Sequence, residues 1–351
     1  MARLGGMYGP DASFLGVPKA DLADPQSWAG TDIMIIGAPF DGGTSNRPGA
    51  RFGPQAIRFT DYLPHDASRP HLALGVDPLV ELRVADAGDV KMPSGDTELS
   101  LRRLEEVVHR TCRGGAMPVI LGGDHTIALP DATGVARHVG WGRVSVIHFD
   151  AHADTGNTQF GSLYGHGTPM RRLIESGAVR GDRFLQIGLR GYWPEPETLA
   201  WMADQRMRSF EMTEVVTRGL DECLTDAFAI ATDECDGVFL SVDVDVVDPG
   251  MAPGTGTPEP GGLSGRQLLD SVRRIAMELP LAGVEIVEVA PPFDHAEVTA
   301  FLANRVVLEA LSGIAWRRRQ QAGDPARPAR NPASPLLEGR GPVTSAANEE
   351  T

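Results

Sequence analysis

The sequence contains few of the residues that mark several common classes of protein. Only two of its 351 residues are lysine, so arginine supplies nearly all of the positive charge. With 47 acidic and 32 basic residues, the formal net charge is -15, which argues against nucleic acid and anionic membranes as partners because like charges repel. The charge suits a small cationic ligand, although general acidity for solubility gives the same composition.

Cysteine is also scarce, and long hydrophobic runs are missing. The three cysteines, Cys112, Cys223 and Cys235, have no CxxC spacing, which is typical of reduced thiols and argues against a disulfide framework. Residues 1–16 lack a basic stretch followed by an apolar core, so we expect no signal peptide. No apolar run approaches the roughly 20 residues that span a bilayer. We therefore expect a cytoplasmic protein without membrane partners.

From residue 31 to about residue 315, short apolar segments alternate with longer amphipathic ones. The short segments lack polar alternation, which is typical of parallel strands buried on both faces, and they lie at residues 33–38, 82–87, 118–121, 144–149, 184–188, 207–210, 238–244 and 284–289. The helix candidates are residues 97–113, 126–139, 213–232, 264–278 and 295–317, with Thr97 and Ser264 at N-cap positions. This alternation predicts a three-layer α/β/α sandwich around a mostly parallel sheet of about eight strands.

The composition divides the chain into three parts. Residues 31–317 show no repeat and no break in composition, which predicts a single domain. Residues 1–30 are expected to form an N-terminal arm that packs on a neighbouring subunit. Residues 318–351 are rich in Pro, Ala, Arg and Gly, and we expect this tail to be disordered because it cannot bury enough surface to offset its ordering entropy.

Three of the predicted strands end in aspartate and histidine side chains. The motifs are PVILGGDHT at 118–126, VSVIHFDAHAD at 144–154 and VFLSVDVDVVDP at 238–249. The candidate metal ligands in them are His125, Asp150, His152, Asp154, Asp243 and Asp245. Side chains two residues apart on an extended backbone share one face, and the carboxyl ends of strands in an α/β sheet form the ligand crevice. These side chains are therefore predicted to converge.

Four converging aspartates require cations. Without them the carboxylates would repel each other and would be costly to desolvate. Two divalent ions balance four carboxylate charges, and oxygen-rich ligation with one imidazole per ion fits Mn²⁺ best, with Ni²⁺, Co²⁺ and Fe²⁺ as alternatives. Taken singly, each motif also fits a turn or a solvated strand end. Together and in this order, they favour a metal centre.

These motifs, in order and spacing, resemble the signatures of the ureohydrolase (arginase–agmatinase) family from about residue 31 to residue 311. The likeness to the agmatinase-like branch extends to GAPFDGGTSNRPGARFGP at 37–54, APGTGTPEPGGL at 252–263 and EVAPPFDH at 288–295. The resemblance implies an arginase-like fold and an amidinohydrolase that uses two divalent ions to cleave a guanidino compound to urea and an amine. It also implies a trimer or hexamer.

The resemblance further implies how the ligands divide between the two ions. Asp150 and Asp243 would bridge both. The other ligands would bind one ion each: His125 and Asp154 the first, His152 and Asp245 the second.

Two more residues are predicted to act on the substrate. Glu288, at the end of a predicted strand, can accept two N–H groups of a guanidinium in a paired geometry, although without the resemblance a structural pair with an arginine would be preferred. His166, in the loop YGHGTP, titrates in the working range and is the candidate general acid for the leaving amine. The resemblance supports both roles. We interpret His148 as a structural core residue and Asn46 as a candidate for specificity.

The substrate stays open at this point. Arginases usually place an asparagine two residues after the last aspartate of DAHxD, whereas this sequence has Gly156, which counts against arginine. Agmatine is the default for the branch, and guanidinobutyrate, guanidinopropionate, proclavaminate-type intermediates, free guanidine and biguanides are alternatives. A second hypothesis is a non-catalytic subunit in a mixed oligomer with a homologous subunit. A third, a single-metal deacetylase-like hydrolase, would not need both acidic pairs.

Overall fold

The computed structural model describes residues 12–61 and 68–326. The strands are β1 (Ile33–Ala38), β2 (Val84–Asp89), β3 (Met117–Gly122), β4 (Val144–Phe149), β5 (Val179–Ile187), β6 (Arg208–Phe210), β7 (Gly237–Asp243) and β8 (Leu281–Val287). The helices are α1 (Gly53–Phe59), α2 (Pro78–Glu81), α3 (Thr97–Arg113), α4 (Ala128–Val139), α5 (Pro169–Glu175), α6 (Pro196–Asp204), α7 (Met212–Arg218), α8 (Leu220–Thr232), α9 (Gly265–Glu278) and α10 (Val298–Gln321). Short 3₁₀ turns lie at Phe14–Gly16, Pro25–Trp28, Ala50–Phe52, His125–Ile127, Val244–Val246 and Pro291–Phe293.

The eight strands form one parallel sheet in the order β2-β1-β3-β8-β7-β4-β5-β6. The last two strands of the chain, β7 and β8, are inserted between β3 and β4, where the strand order changes direction. In open α/β sheets such a switch point opens a crevice at the carboxyl ends of the strands. The three sequence motifs follow β3, β4 and β7, so this topology brings them to the same crevice.

Helices cover both faces of the sheet. One layer contains α3, α4 and α5, and the other contains α1, α8, α9 and α10. Alternate residues of β1 belong to two separate cores, Ile33 and Ile35 on one face and Met34 and Ile36 on the other. Burial on both faces explains why the strands are apolar without alternation. The predicted α/β/α sandwich with a parallel, eight-stranded sheet is confirmed.

Several predicted element boundaries are wrong, for local reasons. The N-cap of α3 is Asp96, whose carboxylate accepts a hydrogen bond from the Leu99 N–H, and not Thr97. Ser264 does cap α9, in a capping box. The predicted helix at 213–232 divides into α7 and α8 at Gly219, whose φ of 92° has no place inside a right-handed helix.

The described part of the N-terminal segment packs on its own chain. Phe14 and Leu15 lie in the core, and the Phe14 N–H donates to a carboxylate oxygen of Asp86 at 2.7 Å. A contact of this segment with a neighbouring subunit stays a prediction. At the other end, α10 continues to Gln321, beyond residue 318, where we expected the tail to begin. Residues 1–11 and 327–351 lie outside the described residues, and with them most of the predicted tail.

One described helix is long and apolar enough to cross a membrane by length and composition, contrary to the expectation from the sequence. It is α10, but 61% of its most apolar stretch is buried inside the domain. It packs against α9 and β8. A mostly buried helix of this kind is typical of a domain core, so α10 is weak evidence for a membrane span.

Candidate active site

The candidate ligands converge at the carboxyl ends of the central strands, although not on the extended backbone that we predicted. β4 ends at Phe149, before all three ligands of DAHAD, and Asp154 has a positive φ of 53°. β7 ends at Asp243, and Asp245 lies in the 3₁₀ turn Val244–Val246. Turns, and not strand alternation, therefore aim these side chains at one another.

The first group of candidate ligands surrounds the ring of His125. Its Nδ1 atom lies 3.0 Å from Asp150 Oδ2, 3.0 Å from Asp154 Oδ2 and 3.3 Å from Asp243 Oδ2. His125 is fully buried, yet Nδ1 makes no hydrogen bond within the described residues. A buried imidazole nitrogen facing three carboxylates is suited to a metal ion, because the ion satisfies the nitrogen and the oxygens together.

The second group contains His152 and shares Asp150 with the first. His152 Nδ1 lies 3.0 Å from Asp245 Oδ2 and 3.5 Å from Asp150 Oδ1. The ligand atoms of Asp150, His152 and Asp245 all lie within 4.8 Å of one another, as do those of His125, His148, Asp150 and Asp154. The two carboxylate oxygens of Asp150 thus face different groups, which is the placement expected of a bridging ligand.

A row of polar side chains beneath the crevice orients the ligands. His148, on β4, is fully buried, and its Nε2 lies 2.8 Å from Asp150 Oδ2 while its Nδ1 lies 3.2 Å from Gln186 Nε2. Ser241 Oγ lies 2.8 Å from His125 Nε2. Contacts of this kind hold metal-binding side chains in one orientation. The interpretation of His148 as a core residue agrees with its burial, and its contact with Asp150 adds a support role.

The charges of the site favour bound cations. Burial, and then the neighbouring carboxylates of Asp245 and Asp150, raise the pKa of Asp243 well above its ordinary value. Burial and then Asp150 likewise raise the pKa of Asp245. Burial also opposes the ionisation of Asp150, but nearby histidines, His148 first, hold its pKa well below the usual range. In the absence of cations, each ionised carboxylate therefore makes ionisation of its neighbours less favourable. Bound divalent ions would offset this repulsion and allow all of the carboxylates to be ionised.

Glu288 lies directly beside these groups, just beyond the end of β8 and not within a strand as predicted. Its backbone has a positive φ of 63°, and its N–H donates to Gly123 O at 2.8 Å. Side-chain Oε1 accepts the backbone N–H of His125 at 2.9 Å, whereas Oε2 is buried and has no hydrogen-bond partner within the described residues. Such a backbone persists only where the surroundings hold it. It leaves one carboxylate oxygen aimed into the site and unpaired.

His166 is held between Glu288 and Ser45. Its Nδ1 lies 2.8 Å from Glu288 Oε1, and its Nε2 lies 2.6 Å from Ser45 Oγ. Burial disfavours the charged ring, but the carboxylates of Glu288, Asp124 and Asp154 outweigh burial and raise the pKa of His166 to about 9. The structure thus brings His166 and Glu288 together, as their proposed roles require.

Sequence reasoning missed two buried carboxyl groups behind His125. Glu285 Oε1 lies 3.7 Å from His125 Nε2, and burial and then Glu285 raise the pKa of Asp131, on α4, well above its ordinary value. Neither carboxyl group has a hydrogen-bond partner within the described residues. The available signal was a single acidic residue inside each of two apolar segments, LAGVEIV and ALPDATGV.

Asn46 lies at the rim of the site. Its side-chain Nδ2 donates to Gly256 O at 2.9 Å. A Cβ atom on Gly256 would lie 3.5 Å from Glu288 Oε2 and 2.9 Å from Arg47 O. Gly256 therefore leaves open the space beside the unpaired oxygen of Glu288, and Asn46 holds the backbone that borders this space.

Comparison with known proteins identifies the family. Residues 31–313 match the model of the arginase family. Mitochondrial agmatinase of Gallus gallus is 39% identical over 311 residues, which cover 86% of this chain and 88% of that protein. Guanidinopropionase of Pseudomonas aeruginosa is 37% identical over 308 residues, which cover 86% of this chain and 93% of that protein.

A solved structure shows the same fold. Proclavaminate amidino hydrolase from Streptomyces clavuligerus has a TM-score of 0.78 and 34% identity, and the match covers 88% of this chain and 98% of that one. The chain therefore belongs to the arginase family, in its agmatinase-like branch, and is an amidinohydrolase that acts on carbon–nitrogen bonds of guanidino compounds.

Proposed function

We propose that this protein is a binuclear metal-dependent hydrolase that cleaves a guanidino compound to urea and an amine. The observation that carries the proposal is the shared position of Asp150. One of its oxygens faces His125 and the other faces His152, so two cations bound beside these histidines would have this carboxylate in common.

The residues fit two divalent ions. His125 and Asp154 would hold one, His152 and Asp245 the other, and Asp150 and Asp243 would hold both. Oxygen-rich ligation with one imidazole per ion suits Mn²⁺ best and leaves Ni²⁺ as the main alternative. Bound ions of this kind would supply an activated water, held close to the carbon under attack.

Glu288 would bind and orient the guanidinium. Its unpaired Oε2 is buried, and a cationic N–H donor paired with it would make a short, charge-assisted hydrogen bond. The His125 N–H holds Oε1 at 2.9 Å, so the carboxylate cannot easily rotate away. The donor of this hydrogen bond is the backbone of His125, whose side chain is a candidate metal ligand. A guanidinium bound to Glu288 would therefore lie beside the metal-binding groups.

His166 would protonate the leaving nitrogen. An alkylamine leaves poorly unless it is protonated, so a positioned acid lowers the barrier to cleavage of the carbon–nitrogen bond. Nδ1 of His166 lies 2.8 Å from Glu288 Oε1, close to the place where the guanidinium would bind. The raised pKa, about 9, keeps the ring protonated at neutral pH.

Agmatine is the first substrate to test, because the branch contains agmatinases. Relatives named for guanidinopropionate and proclavaminate keep other guanidino acids and amines as alternatives. Free guanidine and biguanides complete the set. A non-catalytic subunit of a mixed oligomer remains the second hypothesis.

A urea-release screen over these compounds, run separately with Mn²⁺ and Ni²⁺, tests the proposal. We expect urea from at least one compound, with activity that depends on the added ion. No urea from any compound, in a protein that binds both ions, would favour the non-catalytic subunit.

We also propose a trimer or hexamer in the cytoplasm. Large side chains such as Phe160, Tyr192 and Trp193 are exposed on the described surface and suit a subunit interface. The described cysteines Cys112 and Cys223 are free thiols in the core, in keeping with a reducing compartment.

A further inference from the structure

Ser45 contacts His166 on the side of the ring that faces away from Glu288. Its Oγ lies 2.6 Å from His166 Nε2, and its backbone N–H donates to the same nitrogen at 3.1 Å. The other ring nitrogen, Nδ1, faces Glu288. Both nitrogens of the candidate acid therefore have fixed partners, and nothing in the proposed reaction so far uses Ser45.

The loop that carries Ser45 is anchored on both sides. Asp124 Oδ2 accepts the Gly43 N–H at 2.7 Å and the Thr44 hydroxyl at 3.3 Å. The backbone N–H of His166 donates to Gly43 O at 3.0 Å, which joins the loop of His166 to the loop of Ser45. On the far side, Asn46 donates to the 252–263 segment. The residues on both sides of Ser45 are thus anchored by contacts of their own.

Ser45 can serve His166 in either protonation state. A bare Nε2 accepts a hydrogen bond from the backbone N–H of Ser45. A protonated Nε2 needs an acceptor, which a backbone N–H cannot provide but the Ser45 hydroxyl can. When Nδ1 gives its proton to the leaving nitrogen, which takes the electron pair of the breaking carbon–nitrogen bond, Nε2–H keeps its hydroxyl partner. The Nε2 side of the ring is therefore held by Ser45 both before and after Nδ1 gives up its proton.

We propose that Ser45 is a positioning residue for His166, keeping the ring aligned with Glu288 and the leaving group throughout the proton cycle. The inference rests on the proposed function, because it requires His166 to be the acid. Three carboxylates, those of Glu288, Asp124 and Asp154, interact electrostatically with the same ring. Ser45 supplies the only neutral hydroxyl contact to the ring among the described side-chain hydrogen bonds.

Kinetics of Ser45→Ala, His166→Asn and the double variant test the proposal. We expect Ser45→Ala to lower kcat about 10- to 100-fold, as for one lost hydrogen bond to a charged group, with KM changed less than about threefold. Ser45→Thr keeps the hydroxyl and should recover most of the rate. In the His166→Asn background, Ser45→Ala should have no further effect, since Ser45 acts through the ring. Ser176→Ala, an exposed serine at the end of α5, is the control.

The outcomes separate this inference from the proposed function. A slow His166→Asn with a normal Ser45→Ala would overturn the role of Ser45 alone, and so would equal losses from Ser45→Ala in both backgrounds. A normal His166→Asn would overturn the acid and Ser45 together.

Nuclear magnetic resonance of the His166 ring nitrogens gives a second readout that needs no turnover. In protein loaded with diamagnetic Mg²⁺, Ser45→Ala should shift the Nε2 signal, and Ser45→Thr should restore it. An unchanged Nε2 signal in Ser45→Ala would contradict the contact itself.

Discussion

Replacing Glu288 with glutamine removes one negative charge from the centre of the site and keeps its shape. The amide oxygen can still accept the His125 N–H that Glu288 Oε1 now accepts at 2.9 Å. The position of Oε2, which is buried and unpaired, loses its charge. Because Glu288 is not among the candidate ligands, both ions should stay bound.

The expected loss follows from the hydrogen bonds that the guanidinium would make. A hydrogen bond to a charged group contributes about 1.5–3 kcal/mol, against about 0.5–1.5 kcal/mol for a neutral one. Because Oε1 already accepts the backbone N–H of His125, the substrate contact that is lost is the one at Oε2, where the amide nitrogen of glutamine cannot accept a hydrogen bond. A loss of about 1.5–3 kcal/mol corresponds to a fall in kcat/KM of about 10- to 150-fold. In its proposed role Glu288 would contact substrate in both ground and transition states, so KM should rise as well as kcat fall.

Urea release at a series of substrate concentrations measures the effect, and elemental analysis of the purified variant measures bound metal. Glu278→Gln is the matched control, because Glu278 is exposed at the end of α9 and pairs only with Arg274 in the described contacts. A Glu288→Gln variant with kcat/KM within about threefold of the parent would refute the assignment. Loss of the metal would instead make Glu288 part of the metal centre.

Four further predictions concern the same site and the assembly. Asp150→Asn and Asp243→Asn should each remove most of the bound metal and most of the activity, and two ions per chain in both variants would contradict the bridging assignment. His166→Asn should lower kcat about 10²- to 10⁴-fold with little change in KM, and the loss should shrink as the amine product becomes less basic. Because carboxylates raise the pKa of His166 to about 9, the acid stays protonated below that pH, so kcat/KM should fall as pH rises through about 9 and His166→Asn should lack this limb. Light scattering at micromolar concentration should give a trimer or hexamer, and an active monomer would refute it.

Much of the fold was predictable because buried parallel strands are apolar on both faces. The predicted bounds of β1 and β4 are the observed ones. Boundaries that depend on a single backbone angle were not predictable. Gly219 divides a helix that its flanking sequence would continue, and Glu288 leaves β8 in a left-handed conformation that glutamate seldom adopts.

The candidate ligands could be found from the sequence because they follow strand ends within short motifs. Their geometry could not, since Asp154 points inward through a positive φ and not through strand alternation. Contacts between distant segments were also beyond the sequence. Ser45 and His166 are 121 residues apart, and Ser241 meets His125 across 116 residues. Such pairs depend on strand order and on loop anchors.

The central claim is that two ions at one site support hydrolysis of a guanidino group. Titration of the metal-free protein with Mn²⁺, and separately with Ni²⁺, tests it most directly when urea release is followed at each addition. Activity on an accepted guanidino substrate should rise to a plateau at two equivalents per chain. A plateau at one equivalent, or no urea at saturating concentrations of either ion, would contradict it.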